Sequence, residues 1–182
     1  MIALTQFLST FDRKSLAVKA SQASAKRAEI TTKFPESVWP TLPLSRYALG
    51  TDGFKESFCY YLEYNSQELG SIKGGSAEKH LIYFSDDREW SYDRDAYSSE
   101  EAAWTTIRAG FVEALRLGHA QQFQAVDKIP SLVGARVMRT KFLSIYFPAE
   151  MLPIFSHSHL THFLQALGVS VENGEERQSV TL

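Results

Sequence analysis

A glycine-rich segment with two lysines, GSIKGGSAEKHLIYF at residues 70–84, offers the most suggestive chemistry in this sequence. Gly70 and Gly75 have the separation of the two glycines in a nucleoside-triphosphate-binding loop, but Ser76 stands where that loop requires lysine. The residues that follow are apolar and rich in β-formers, so they predict a strand rather than the helix that such a loop must open. The sequence therefore predicts no nucleotide hydrolysis at this loop, and it predicts a tight turn between strands at Gly74 and Gly75.

Other candidate catalytic groups are weaker. The three histidines of the segment HSHLTH are spaced two and three residues apart, and residues two apart on a helix do not share a face, so capping and surface roles are favoured over a metal site. Cys59 lies in an aromatic segment, where a small buried thiol is the usual case. The acidic residues of 86–95 are close together in one hydrophilic turn and predict a solvated loop. The sequence thus predicts no catalytic residue, metal or cofactor, and favours a binding module over an enzyme.

Composition limits the class of protein. The chain has 182 residues, a formal net charge of −2 and one cysteine, which is typical of a single domain without a disulfide framework. The N-terminus lacks the features of a signal peptide, and no apolar run approaches the roughly 20 residues of a membrane span. We therefore expect a cytoplasmic protein that does not contact a membrane.

Charge is unevenly distributed along the chain. Residues 13–33 contain six basic residues and one acidic residue, whereas residues 86–101 contain seven acidic residues and two basic ones. Both segments could be ordinary solvated faces. The alternative is that the basic segment meets a polyanion.

The predicted elements indicate a single α+β domain, with a mostly antiparallel or mixed sheet flanked by helices. The predicted helices are Arg13–Lys33, Ser98 or Ser99 to Leu117, a short one within Ala120–Lys128, and Ser156 or Ser158 to Leu167. The predicted strands are Ser57–Tyr64, Leu69–Lys73, His80–Ser85, Trp90–Tyr92 and Val137–Phe147. The proline-rich stretch 34–50 predicts an irregular loop. Residues 1–168 are expected to form the domain, and residues 169–182 to form a linker or frayed tail.

Two groups of side chains are candidates for nucleic-acid binding. Aromatic rings in loops or at strand edges suit stacking on a base, although core packing is the commoner fate of any one of them. The candidates are Trp39, Tyr47, Tyr61, Trp90 and Tyr92. Cations and the glycine turn suit contact with a phosphate backbone. These candidates are Arg13, Lys14, Lys73, Gly74, Gly75, Ser76, Lys79, Arg139 and Lys141.

Three stretches carry a family resemblance: LPLSRYALGTD, SFCYYLEYNSQELGSIKGGSAEKHLIYF and MRTKFLSIYFPAEMLPIFSHSHLTHFLQALG. Between Phe11 and about Gly168 the chain resembles the N-terminal regions that precede the AAA+ GTPase motor of McrB-like proteins in modification-dependent restriction systems. The resemblance implies a DNA-recognition module whose parent protein carries an AAA+ motor and recruits a separate nuclease subunit in phage defence. It transfers no contact residue, because such modules vary widely between relatives.

The function expected on these grounds is recognition of a modified base, with methylated cytosine the first choice, in duplex DNA. A modification inside a duplex is best read by flipping the base into a pocket, which costs a few kcal/mol and is offset by aromatic stacking and phosphate contacts. Two alternatives remain open. One is a protein-interaction module, and the other is a domain that binds RNA or single-stranded nucleic acid.

Overall fold

The described part of the molecule is helical. A computed structural model of the chain describes residues 12–166 and Gly168. In these residues the α-helices are α1 (Arg13–Lys33), α2 (Leu44–Tyr47), α3 (Phe58–Tyr64), α4 (Glu100–His119), α5 (Phe123–Val126), α6 (Arg136–Tyr146) and α7 (His157–Ala166). Short 3-10 helices occupy Glu36–Thr41, Phe54–Glu56, Gln67–Leu69, Ala77–His80 and Pro130–Ala135. Strands β1 (Tyr83–Phe84) and β2 (Trp90–Ser91) pair antiparallel, with Phe84 opposite Trp90.

The predicted α+β fold is wrong. Helix accounts for 63% of the structure and strand for 3%, and a two-stranded pair replaces the expected flanked sheet. Of the five predicted strands, His80–Ser85 and Trp90–Tyr92 each contain a two-residue strand. The Leu69–Lys73 segment has no strand, so the turn at Gly74 and Gly75 does not join strands but leads into the 3-10 helix Ala77–His80.

The aromatic segment predicted as a strand from Ser57 to Tyr64 is helix α3. The Ser57 side chain accepts a hydrogen bond from the backbone N–H of Tyr60 and caps the first turn. The buried residues of this segment are Phe58, Cys59, Leu62 and Glu63, which follow helical spacing. Tertiary burial of that face outweighs the β-propensity of its aromatic residues.

Helix α6 replaces the strand predicted for Val137–Phe147. Every residue from Met138 to Ile145 is buried, so this stretch of the helix is enclosed on all sides, its polar residues included. The polar side chains that suggested strand alternation, Arg139 and Lys141 among them, are buried with the apolar ones.

The predicted helix Ser98 or Ser99 to Leu117 is correct in its essentials. Ser99 is the N-cap of α4 and accepts a hydrogen bond from the N–H of Ala102. The apolar stripe that includes Trp104, Ile107 and Phe111 is buried. The helix extends to His119, because Gly118 does not end it.

The core is centred on the indole of Trp39, whose exposed fraction is 0%. The rings of Phe58, Phe111 and Phe142 lie 4.8–5.0 Å from it, centroid to centroid. The indole Nε1 donates to the hydroxyl of Tyr146 at 2.8 Å, which satisfies the one polar atom that this ring buries. The proline-rich stretch predicted as a loop is therefore packed into the core as short helical turns.

Several predictions lie outside the described residues. They are the linker or tail at 169–182, the last residue of the predicted C-terminal helix at Leu167, and the side chain of Arg13. The rest of the predicted C-terminal helix is present as α7.

Candidate functional site

An open cleft of about 810 Å³ lies between two segments that are far apart in sequence. One wall is the glycine loop, residues 70–79, and the other wall is residues 153–163, which include the start of α7. Gly134 and Val137 complete the lining. The glycine-rich segment that the sequence singled out thus forms one side of a concave surface, which is the usual form of a ligand site.

The glycine loop depends on backbone conformations that side chains disfavour. Gly70, Gly74 and Gly75 have φ values of +84°, +93° and +74°. A Cβ atom at Gly74 or Gly75 would meet open space, whereas one at Gly70 would lie 2.8 Å from the ring of Phe155. The two walls therefore touch at Gly70 and separate toward the glycine pair.

The side chain of Lys79 holds the glycine loop together. Its Nζ atom lies 2.8 Å from Oε1 of Glu63, 3.0 Å from the carbonyl oxygen of Ile72 and 2.7 Å from that of Gly74. An ammonium group has three N–H donors, so these three acceptors account for all of them. The same Glu63 oxygen lies 3.4 Å from the N–H of Gly74. Lys79 therefore fixes the loop and does not present its charge to a ligand.

The other oxygen of Glu63 contacts His80, which is fully buried. His80 Nε2 lies 2.6 Å from Glu63 Oε2, and Nδ1 has no hydrogen-bond partner among the described residues. Burial lowers the pKa of His80 despite the nearby carboxylate. Burial alone would raise the pKa of Glu63, but hydrogen bonds from Lys79 and His80 outweigh it and the pKa is lowered. We assign His80 as neutral with its proton on Nε2, donating to an ionised Glu63.

Lys141 supports the cleft from α6. Its side chain is fully buried, and Nζ donates to the carbonyl oxygen of Ser66 at 3.0 Å and to that of Gly70. The same Nζ lies 5.6 Å from the ring centroid of Phe155. Burial lowers the pKa of Lys141 to about 8. This lysine thus positions one residue of each wall.

Lys73 differs from Lys79 and Lys141 because it is exposed, and it has no ion pair among the described residues. Its Nζ lies 5.8 Å from the ring centroid of Tyr64, which is 41% exposed. On the opposite side, the Phe163 ring lies at the edge of the cleft and is 52% exposed, and His159 is exposed beside it. The cleft therefore combines an ammonium group that has no ion pair with one exposed aromatic ring, the kinds of group that bind a phosphate and a planar base.

None of the five aromatic candidates lines this cleft. Trp39 and Tyr47 are 0% exposed and belong to the core, where the Tyr47 hydroxyl donates to the carbonyl oxygen of His80 at 2.8 Å. Tyr61, Trp90 and Tyr92 are partly buried and pack against the core. Stacking on a base by Trp39 or Tyr47 is ruled out in this conformation, because no face of either ring is accessible.

Some of the residues predicted to contact the phosphate backbone line the cleft, and others are buried or lie elsewhere. Lys73, Gly74, Gly75, Ser76 and Lys79 line the cleft, although Lys79 is saturated by its protein partners. Arg139 is 1% exposed and contacts Asp127 at 2.8 Å and the Leu132 carbonyl oxygen at 2.8 Å. Lys141 is also buried, so neither Arg139 nor Lys141 can contact a phosphate. Lys14 is exposed on α1, away from the residues that line the cleft.

Sequence reasoning missed Phe155, Phe163 and Glu63. The sequence predicts Phe163 only as a residue of the C-terminal helix and gives Phe155 no role, and only the tertiary fold brings them opposite the glycine loop. A usable signal for Glu63 was present, since it is a lone acidic residue within a run of aromatic and apolar residues, SFCYYLEY. A charge in such a run is buried only when it is paired.

Cys59 and the possible metal ligands are the remaining candidate groups. Cys59 is buried, and burial raises its pKa well above the usual value, so the reactive thiolate is disfavoured. Among residues 12–166, no three His, Cys, Asp or Glu side chains are grouped so that they could hold a metal ion. In the same part of the chain, no helix combines the length and the apolar character needed to cross a membrane.

Comparison with protein-family models, with curated proteins and with solved structures gave no match. The resemblance to McrB-like proteins therefore stays an expectation, and the function has to be argued from the cleft.

Proposed function

We propose that this chain is a DNA-recognition module that receives a flipped, modified base in the cleft between the glycine loop and residues 153–163. The observation that carries the proposal is that the unpaired Lys73 ammonium and the exposed Phe163 ring line the same open cleft. A base needs a ring to stack on, and its sugar-phosphate link needs a cation nearby.

Two buried lysines hold the supporting elements of the cleft together. Lys79 fixes the glycine loop to Glu63, and Lys141 fixes Gly70 while its ammonium lies near Phe155. Lys73, Gly74 and Gly75 are left exposed on this fixed base. Preorganisation of this kind reduces the entropy that binding would otherwise cost.

Within the proposal, methylated cytosine remains the first choice of base, and the chain acts as the specificity module of a restriction complex. The AAA+ motor and the nuclease subunit belong to this proposal through the resemblance to McrB-like proteins alone. The chain itself is proposed to be non-catalytic and to need no cofactor.

A binding panel tests the proposal. Fluorescence anisotropy would compare one duplex in five forms: unmodified, 5-methylcytosine, 5-hydroxymethylcytosine, 4-methylcytosine and 6-methyladenine. We expect one modified duplex to bind at least tenfold more tightly than the unmodified one, which corresponds to about 1.4 kcal/mol. A 2-aminopurine beside the modified base should brighten on binding, because the neighbouring base leaves the stack.

Variants of the cleft make the test specific. Phe163→Ala should abolish the preference and leave weak nonspecific binding, whereas Lys73→Ala should weaken all duplexes by a similar factor. Tyr92→Ala is the matched aromatic control, because Tyr92 lies outside the cleft, and it should keep the preference. Equal affinity for all five duplexes contradicts the proposal and favours a protein-interaction module. Tighter binding to single strands than to every duplex favours the RNA or single-strand alternative.

A further inference from the structure

Helix α1 is packed along only half of its length. From Lys14 to Gln22 every residue is exposed, including the apolar Leu16 at 39% and Val18 at 67%. Contact with the rest of the described molecule begins near Ala23, which packs against the core, and continues to the fully buried Ile30. Residues 13–22 therefore project as a helix about 15 Å long, at 1.5 Å per residue.

A helix of this length is not stable in water by its own propensity, so the projecting half needs support from the rest of the molecule. The packed half of α1 supplies the nucleus for the projecting half. The sequence of the projecting half, RKSLAVKASQ, contains three basic residues and no acidic one.

Ion pairing differs between the two halves. In the packed half, Lys26 Nζ lies 2.6 Å from Glu29 Oε2, and Lys33 is paired with Glu56. In the projecting half, Lys14 and Lys19 are exposed and have no acidic partner among the described residues. Arg27, in the packed half, also has no ion pair among the described residues, but it is partly buried, so the exposed unpaired lysines of α1 lie in the projecting half.

The packed half of α1 also connects to the cleft. Helix α1 contacts the 3-10 helix Gln67–Leu69, which directly precedes Gly70, and Lys26 Nζ lies 3.3 Å from Oδ1 of Asn65. Helix α1 contacts α6 as well, the helix that carries Lys141. The projecting lysines are therefore attached to the same rigid elements that hold the glycine loop.

We propose that the projecting half of α1 binds the phosphate backbone of the duplex through Lys14 and Lys19, outside the base-binding cleft. The proposal rests on the proposed function, and charge complementarity selects the occupant, because a duplex carries one negative charge per roughly 1.7 Å of its axis. Phosphate contacts of this kind position a protein on DNA without reading the base.

The test uses the full chain and the double variant Lys14→Ala/Lys19→Ala. The control is Lys55→Ala/Lys128→Ala, which removes two exposed lysines that have no ion pair in the described structure and lie on other elements. Binding of modified and unmodified duplexes would be measured by anisotropy from 50 to 300 mM KCl. Removing two phosphate contacts should reduce the slope of log Kobs against log [KCl] by about 1.8, at about 0.9 per contact.

We expect the α1 variant to keep the wild-type ratio of affinities for modified and unmodified duplex, and the control to keep the wild-type slope. An unchanged slope for the α1 variant overturns this inference. If Phe163→Ala still abolishes the preference in that case, the proposed function stands without it. Wild-type chain that binds no duplex overturns both. Loss of self-association in the α1 variant, seen by sedimentation with an unchanged salt slope, would assign the projecting half to a second copy instead.

Circular dichroism checks that the α1 variant has not lost helical structure. Alanine is a better helix former than lysine, and both sites are exposed, so the far-ultraviolet spectrum should be unchanged. The charge-retaining variant Lys14→Arg/Lys19→Arg should restore the wild-type salt slope. Failure of this variant to restore the slope also counts against phosphate binding.

Discussion

Lys79 Nζ lies 2.8 Å from Glu63 Oε1, and this ion pair links helix α3 to the glycine loop. Both side chains are largely buried, with exposed fractions of 13% and 7%. Because of this ion pair, the two lysines of the glycine loop have different roles. Lys79 is part of the scaffold, whereas Lys73, six residues earlier, is exposed on top of it.

Lys79→Ala should therefore reduce the free energy of unfolding by about 3 kcal/mol, because it leaves Glu63 buried without its full compensation. Lys73→Ala should change that free energy by less than about 0.5 kcal/mol, as is usual for an exposed site. Urea unfolding of the two variants measures the difference. Equal effects of the two substitutions on stability would contradict the distinction drawn between these lysines.

Local sequence indicated one wall of the candidate cleft, but none of the five aromatic residues predicted for the base pocket lines it. The glycine loop drew attention because paired glycines and lysines are unusual in local sequence, and local sequence is sufficient to recognise them. The opposite wall was missed because Phe155 and Phe163 lie about 80 residues further along the chain, and only tertiary packing places them there. The strand predicted for residues 137–147 is wrong because polar and apolar residues also alternate in part of this segment, and the polar residues of α6 are buried together with the apolar ones.

Trp39 is the clearest case in which a loop aromatic proved to be structural. Trp39→Ala should reduce the free energy of unfolding by about 3–5 kcal/mol, as large truncations in a core do. Trp90→Ala is a suitable comparison, because Trp90 is only partly buried beside Phe84 on the two-stranded pair, and it should cost clearly less. Thermal unfolding followed by circular dichroism measures both. A Trp39 variant as stable as wild type would mean that the indole does not lie in the core.

Cys59 should be unreactive in the folded chain. The thiol is buried on α3, and burial raises its pKa, so both access and ionisation disfavour attack. A thiol reagent such as 5,5′-dithiobis(2-nitrobenzoic acid) at pH 8 should label it only as fast as the protein opens, and immediately in 6 M guanidinium chloride. Rapid labelling of folded protein would show that this part of α3 is accessible.

Lys141 predicts a specific pH dependence of stability. Its pKa is about 8 in the fold, against an ordinary value of 10.5. Between these values the unfolded chain keeps a proton that the folded chain releases, so the free energy of unfolding should rise with pH. The full contribution is on the order of 3 kcal/mol, since one pKa unit corresponds to about 1.4 kcal/mol.

Lys141→Met keeps the length of the side chain and removes the titrating group. The free energy of unfolding, measured by urea from pH 7.5 to 10, should rise more steeply for wild type than for this variant. The comparison concerns the slopes, because the variant also removes donors from the Ser66 and Gly70 carbonyl oxygens and so lowers stability at every pH. Parallel curves would mean that Lys141 titrates normally in the folded protein.

Gly70 offers a way to alter the cleft without removing any of its binding groups. A Cβ atom there would lie 2.8 Å from the Phe155 ring and 3.2 Å from the Pro153 carbonyl oxygen, so Gly70→Ala should displace the opposite wall. Gly53→Ala is the control, because Gly53 also has a positive φ, +78°, but a Cβ atom at Gly53 would meet nothing within 4 Å.

Both glycine substitutions should lower stability by about 1–3 kcal/mol, since alanine is strained at a positive φ. Their effects on DNA should differ. If the proposed function is correct, Gly70→Ala should reduce the preference for the modified duplex at least tenfold, whereas Gly53→Ala should leave the ratio of the two affinities unchanged. Anisotropy titrations at 10 °C, with folding of both variants checked by circular dichroism, measure that ratio. A Gly70 variant with full preference would show that the contact between Gly70 and Phe155 does not shape the base-binding site, and would place recognition nearer to the glycine pair and Lys73.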